Sequence, residues 1–196
     1  MATSAQIVEI AQEYIQKVGF HAFSYRDIAE RVGIRTASIH YHYPTKADLA
    51  RAIVDRVRAA TDAAIAEIDA SRGPAGKRLR GFCGLFLKTW GEGDRLCPMC
   101  MLAMGQEAIP PEVQSGVRDF WQDGESWVAR TVRDGQSSGE FRPDLDPRTV
   151  GRTFLAALEG AMVAARAFSD RTRLEDVIDH LMDSVTVGRT DGTAAV

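Results

Sequence analysis

Three features of the 196-residue sequence predict an all-α protein. Its apolar residues recur at helical spacing, in runs longer than strands usually are. Those runs are dominated by Ala, Leu, Arg and Glu, and no segment alternates apolar and polar residues as a half-buried strand does. With 45% hydrophobic and 26% charged residues, the chain fits one globular domain or a small domain joined to a medium one, and whole-chain disorder is excluded.

Taken in order, the first helix is expected over residues 5–18, with Ile7, Val8, Ala11, Tyr14, Ile15 and Val18 on one face and Gly19 ending it. Ser24-Tyr-Arg-Asp27 has the spacing of a capping box and opens a short helix through Val32. Gly33 breaks that helix, and residues 37–43 form another short one that Pro44 stops. Thr45-Lys-Ala-Asp48 repeats the capping box and opens a long helix to about residue 70. Ser71-Arg-Gly-Pro-Ala-Gly76 reads as a linker. Later helices are expected over 75–92, 97–107, 111–137, 146–168 and 173–187, about nine in all. They divide the chain into a three-helix head over residues 1–46, a helical body over 47–188 and a flexible tail over 189–196.

Residues 25–42 have the internal logic of a helix-turn-helix. Ile28, Ala29 and Val32 share a face, Gly33 supplies a turn position that tolerates positive φ, and Ile34 and Ile39 close a small core. The outer face of the second helix then carries Arg35, Thr36, Ser38, His40, Tyr41 and His42, hydrogen-bonding and aromatic groups suited to base edges and thymine methyls in a DNA major groove. An ordinary surface helical hairpin with its tyrosines packed as core is the alternative. Tyr43, Thr45 and Lys46 weigh against it, because they bring a phenol, a hydroxyl and an ammonium to a helix start, where backbone phosphate is favoured.

The run Gly19-Phe-His-Ala-Phe-Ser-Tyr-Arg-Asp-Ile-Ala-Glu-Arg-Val-Gly-Ile-Arg-Thr-Ala-Ser-Ile-His-Tyr-His-Tyr-Pro-Thr-Lys-Ala-Asp-Leu49 resembles the N-terminal DNA-binding domain of the tetracycline-repressor (TetR/AcrR) family. The shared pattern is a Gly after helix one, Asp-Ile-Ala on helix two, Gly-Ile in the turn, a Tyr–aromatic pair and a Lys opening helix four. The resemblance covers the first quarter of the chain. It implies a homodimeric, all-α bacterial regulator, most often a repressor, with operator DNA and a small-molecule effector as partners. It also implies that Ser24, Arg26, Arg35, Thr36, Ser38, Tyr41, His42, Tyr43 and Lys46 lie on the DNA surface. Tyr43 stands where the family more often has Phe, which keeps the ring and adds a hydroxyl.

Net charge is −3, with 24 basic against 27 acidic residues, which by itself points to no polyanionic partner. The distribution is uneven: 8 basic and 6 acidic residues precede position 59, and 16 basic and 21 acidic follow. Three of the four histidines also lie in the first segment. No run approaches the roughly 18 uninterrupted apolar residues of a bilayer span, and a cytoplasmic protein is expected.

In the body, Phe82, Phe86, Trp90, Met101, Met104, Glu107, Trp121 and Trp127 have the composition of an adaptable apolar effector pocket, with Gln106 and Arg118 among the nearby polar groups. Plain hydrophobic core is the alternative for each apolar member. Ala157, Gly160, Ala161 and Ala164, small residues on an apolar helix, join Ile178 and Leu181 as a candidate dimer face, the alternative being that they pack on their own body.

Cys97 and Cys100 form a single CxxC, too little for a zinc site, and no metal or other cofactor is expected. Cys97 near a helix N-terminus and beside Arg95 would favour its thiolate, making the pair a candidate thiol sensor; buried, unreactive cysteine is the alternative. The chain therefore reads as a non-enzymatic DNA-binding regulator released by a hydrophobic or electrophilic effector. A cysteine-dependent helical oxidoreductase and a non-specific architectural DNA-binding protein are the competing readings.

Overall fold

The computed structural model describes residues 4–91, 95–105 and 109–188. Helix α1 (Ser4–Val18) buries Ile7, Val8, Ala11 and Ile15, and Gly19 ends it at φ 86°. Helix α2 (Tyr25–Val32) begins at the expected capping box: Ser24 N–H donates to Asp27 Oδ2 at 2.6 Å, and Asp27 N–H donates to Ser24 Oγ at 3.4 Å. It stops at Gly33, whose left-handed φ of 78° lets its N–H reach Ala29 O at 2.9 Å.

Helix α3 (Thr36–His42) lies one residue earlier than the sequence suggests. Tyr43 precedes Pro44, whose ring disfavours the helical conformation there, and Tyr43 takes φ −133°. The second capping box, Thr45 and Asp48, opens α4 (Lys46–Ala70). The first turns of α4 bury Leu49, Ala50, Ile53 and Val54, so a boundary drawn at residue 46 separates α4 from a head whose α1 it packs against.

The body comprises α5 (Ala75–Gly91), α6 (Pro98–Met104), α7 (Pro111–Ser138), α8 (Pro147–Phe168) and α9 (Thr172–Val185). Each fully buried Leu, Ile or Phe of their core, such as Leu79, Leu158 and Phe154, contributes about 1.5–3 kcal/mol. Helices α7 and α8 pass close to each other at Gly151, where a Cβ would stand 2.4 Å from the Glu125 carbonyl oxygen. Helix α6 ends at Met104, short of the expected 107, and residues 106–108 lie outside the described ones. Helix α9 stops before 187 because Thr186 leaves the helix to form an isolated antiparallel bridge with Phe141. Arg142 N–H donates to Val185 O at 2.9 Å and Val187 N–H to Glu140 O at 3.1 Å. The expected tail, 189–196, lies outside the described residues.

Head and body meet at the end of α1. Gln16 Nε2 donates to Leu96 O at 3.2 Å, Leu96 N–H donates back to Gln16 O at 3.4 Å, and Arg166 of α8 donates to Gln16 O at 3.2 Å and to Lys17 O. Glu13 takes ion pairs from Arg31 and, at 3.1 Å, from Arg95.

Candidate nucleic-acid interface and ligand cavity

Ile39 faces inward from α3 and is fully buried, which turns Arg35, Ser38, Tyr41 and His42 to solvent; Tyr41 is 83% exposed and Thr36 is half-buried. Four residues of the expected outer face thus form an exposed row on this short helix.

The row is held from beneath. Tyr25 is buried, and its hydroxyl lies 2.6 Å from Thr45 O and 2.9 Å from Tyr43 O, donating its single proton across the α3–α4 junction. Burial, and secondarily the Asp48 charge, pushes the phenol up to about 12. His40 packs edge-on against the Tyr25 ring at 4.7 Å, with Nδ1 3.3 Å from Pro44 O, so its imidazole braces the same junction although it is exposed.

Lys46 departs from expectation. Its ammonium does not stand free for phosphate: Nζ donates to Phe20 O and, at 2.6 Å, to Phe23 O, over the rings of both phenylalanines at 4.8 and 4.1 Å. Burial pulls its pKa down. Lys46 therefore clasps α4 to the loop between α1 and α2. Tyr43, half-buried, reaches Ser4 O at 3.4 Å. Ser24 serves as the α2 cap, its Oγ 2.7 Å from Asp27 Oδ2, while Arg26 is exposed and pairs with Glu30 at 2.9 Å. Sequence reasoning missed Tyr25 as the strut, since a tyrosine at the start of a helix carries no sign of which carbonyls it meets.

An apolar cavity of about 100 Å³ opens between α4, α5, α7 and α8, with Cys97 and Pro98 closing one side. Of the expected pocket residues, Phe82 and Phe86 line it. Trp127 is core, 2% exposed, stacked on Phe82 at 5.2 Å, its Nε1 donating to Asp69 Oδ2 at 3.1 Å. Trp121 faces a separate groove with Arg118 and Arg152. Met104 is 65% exposed, Met101 lies against Gly19, and half-buried Trp90 is not on the cavity wall. Glu107 and Gln106 lie outside the described residues. The missed wall is α4: Val57 and Ile65 line the apolar part, and Arg58, Thr61 and Asp62 add polar groups. Arg58 is held there by Asp123 at 2.7 Å.

Behind this wall the Glu159 carboxyl, 5% exposed, faces the thiols of Cys97 and Cys100. Burial raises Glu159 to about 7. Burial, and then the nearby carboxylate, push Cys97 well above its ordinary value and Cys100 to about 12. The expectation of a favoured thiolate is thus overturned: Arg95 is directed to Glu13, and a carboxyl group faces the sulfurs. No group of three His, Cys, Asp or Glu among the described residues could hold a metal ion.

On the candidate dimer face, Gly160 is exposed and Ala157 and Ala164 are half-buried. Ala161, Ile178 and Leu181 instead belong to the chain's own core at 5%, 2% and 5% exposure. One residue turns a helix by about 100°, so Gly160 and Ala161 point to different sides. The outward row on α8 includes residues 156, 160 and Val163.

No helix among the described residues is long and apolar enough to cross a membrane. The repressor LfrR of Mycolicibacterium smegmatis is 26% identical over 164 residues, covering 83% of this chain and 78% of that protein. The transcriptional regulator TtgR of Pseudomonas putida is 30% identical over 147 residues, covering 71% and 70%. A TetR-family regulator from Agrobacterium tumefaciens superposes with a TM-score of 0.89 at 28% identity, covering 93% of this chain and 97% of that one. Residues 75–181 match the tetracyclin repressor-like C-terminal domain. With residues 7–53 also matching the bacterial regulatory proteins of the tetR family, around an exposed α3 braced by Tyr25, the chain belongs to the TetR family.

Proposed function

We propose that this chain is a ligand-responsive transcriptional repressor. In this reading residues 1–46 form the DNA-binding head and residues 47–188 the effector-binding and dimerisation body; two copies bind a two-fold operator in the cytoplasm. The observation that carries the reading is the row Arg35, Ser38, Tyr41 and His42, exposed on a helix whose other face is pinned by Ile39 and Tyr25. Such a row reads base edges in a major groove, and a homodimer places two of them on successive grooves.

A small hydrophobic effector enters the cavity. The volume of about 100 Å³ is below the roughly 150 Å³ of an enclosed cavity that accommodates benzene, and in this reading the effector displaces part of the wall as it binds. The wall is connected to the head: Cys97 lines the cavity while its neighbour Leu96 exchanges hydrogen bonds with Gln16 of α1. A ligand preferring the displaced arrangement lowers operator affinity by its differential affinity for the two states. The raised thiol pKa values favour reversible apolar binding over an electrophile.

Selection from random duplex DNA tests the reading. We expect a palindromic site with half-sites about one helical turn apart, bound by the intact chain and not by an Ile39→Asp variant. Enrichment of no sequence over non-specific DNA would refute it.

A further inference from the structure

We infer that the groove between α7 and α8 is a binding site for a small polyvalent anion, a compound carrying two or more phosphate or carboxylate groups. Arg130 and Arg133 from α7 and Arg148 and Arg152 from α8 line one groove of about 480 Å³, joined by Gln122 and Ser126. All four arginines are exposed. Residues 122, 126, 130 and 133 follow the i, i+4, i+8, i+11 stripe of one helix, and 148 and 152 are one turn apart on the other. The close passage of Gly151 against the Glu125 carbonyl brings these two rows together.

The charge in the groove is not balanced as it is at several arginines elsewhere. Arg58, Arg78, Arg80, Arg142 and Arg171 each meet a carboxylate at 2.6–2.9 Å. Among the described residues Arg130, Arg133 and Arg148 make no ion pair within 4.0 Å, and Arg152 has only Glu125, at 3.7 Å. Glu125 is the single carboxylate in the lining. Asp146 feels the Arg148 charge, but its Oδ2 is taken by Thr149 N–H at 2.9 Å and Thr149 Oγ1 at 2.6 Å as the α8 cap. Four guanidiniums and one carboxylate thus converge in a chain whose net charge is −3.

Like charges a turn apart on a helix repel, and an anion bridging the two rows removes that repulsion. Guanidinium forks match the paired oxygens of phosphate and carboxylate. The hydrogen-bonding lining separates this groove from the apolar cavity on the other side of α7, so an anion here is a different ligand from the hydrophobic effector.

Isothermal titration of the full chain at fixed ionic strength tests the site, with pyrophosphate and citrate as probes and orthophosphate, which carries a single phosphate group, as the control. We expect saturable binding of one pyrophosphate or citrate per chain, and weaker binding of orthophosphate, which bridges fewer arginines. Arg133→Ala and Arg148→Ala should each weaken it about tenfold. Arg142→Ala, outside the groove, should leave it unchanged, and unchanged melting curves show that each variant is folded. Preference for only one of the two probes identifies the anion chemistry within the proposal. The proposal is overturned by absence of saturation, or by equal affinity in Arg133→Ala/Arg148→Ala and unaltered chain. It is overturned equally if those substitutions shift only the monomer–dimer equilibrium, which would assign the groove to a second copy's acidic surface.

Discussion

Two ionisable groups taken out of water, Lys46 in the head and Glu159 in the body, are satisfied in opposite ways. The Lys46 ammonium donates to two carbonyl oxygens and lies over two aromatic rings, partners that all favour its charged form. The Glu159 carboxyl has two thiols, weak donors that stabilise a carboxylate poorly, and burial raises it to about 7. Lys46 is therefore clasped by polar contacts that offset part of the burial which pulls its pKa down, while the body keeps an acid with only thiols for partners directly behind its cavity wall. A DNA-reading surface needs rigidity, whereas a ligand-responsive one needs an arrangement that can be displaced at low cost.

The largest expected effect follows from Glu159. Its folded pKa, about 7, stands above the ordinary 4.5, so the native state binds the proton more tightly than the unfolded one. Its contribution is complete below about pH 4.5 and is lost as pH rises through 7, a fall of about 3 kcal/mol in unfolding free energy. Denaturant titrations across this range should show the decline, and Glu159→Gln should remove it. An unaltered slope in the variant would end the contrast with Lys46.

Lys46→Met keeps the stem and deletes the ammonium. It should cost about 2 kcal/mol of stability by freeing the Phe20 and Phe23 carbonyls. Operator affinity should fall through loosening of the head, with little change in the salt dependence of the remaining binding. A salt slope reduced by one ion at unchanged stability would restore Lys46 as a phosphate contact.

Tyr41→Ala is the smallest in stability, within about 0.5 kcal/mol, because the ring is 83% exposed. Operator affinity should nonetheless drop about tenfold, read by fluorescence anisotropy. Unchanged affinity would remove Tyr41 from the reading face and leave α3 an ordinary exposed helix.

The same contrast governs what could be read from the chain itself. In the head, Ser24 with Asp27, Gly33, and Thr45 with Asp48 act within four residues of one another, so their spacing alone announces the capped helices and the left-handed turn. The exposed row on α3 follows once Ile39 is assigned inward. Lys46 misled because its destination, the carbonyls of Phe20 and Phe23, lies more than twenty residues away. In the body, Met and aromatic composition pointed to Phe82 and Phe86, which line the cavity, yet composition does not tell a cavity wall from core: Trp127 packs behind Phe82, and α4 supplies the wall that composition passed over.

By itself the sequence determined the all-α class, the capped helices and the helix-turn-helix, because helix periodicity, caps and glycine turns are short-range properties of neighbouring residues. Only the tertiary structure decided which long helices enclose the cavity, that Glu159 meets Cys97 and Cys100 across some sixty residues of chain, and that arginines from α7 and α8 share one groove. These depend on helix crossings set by close packing, such as Gly151 against Glu125, and no local periodicity encodes which faces will meet.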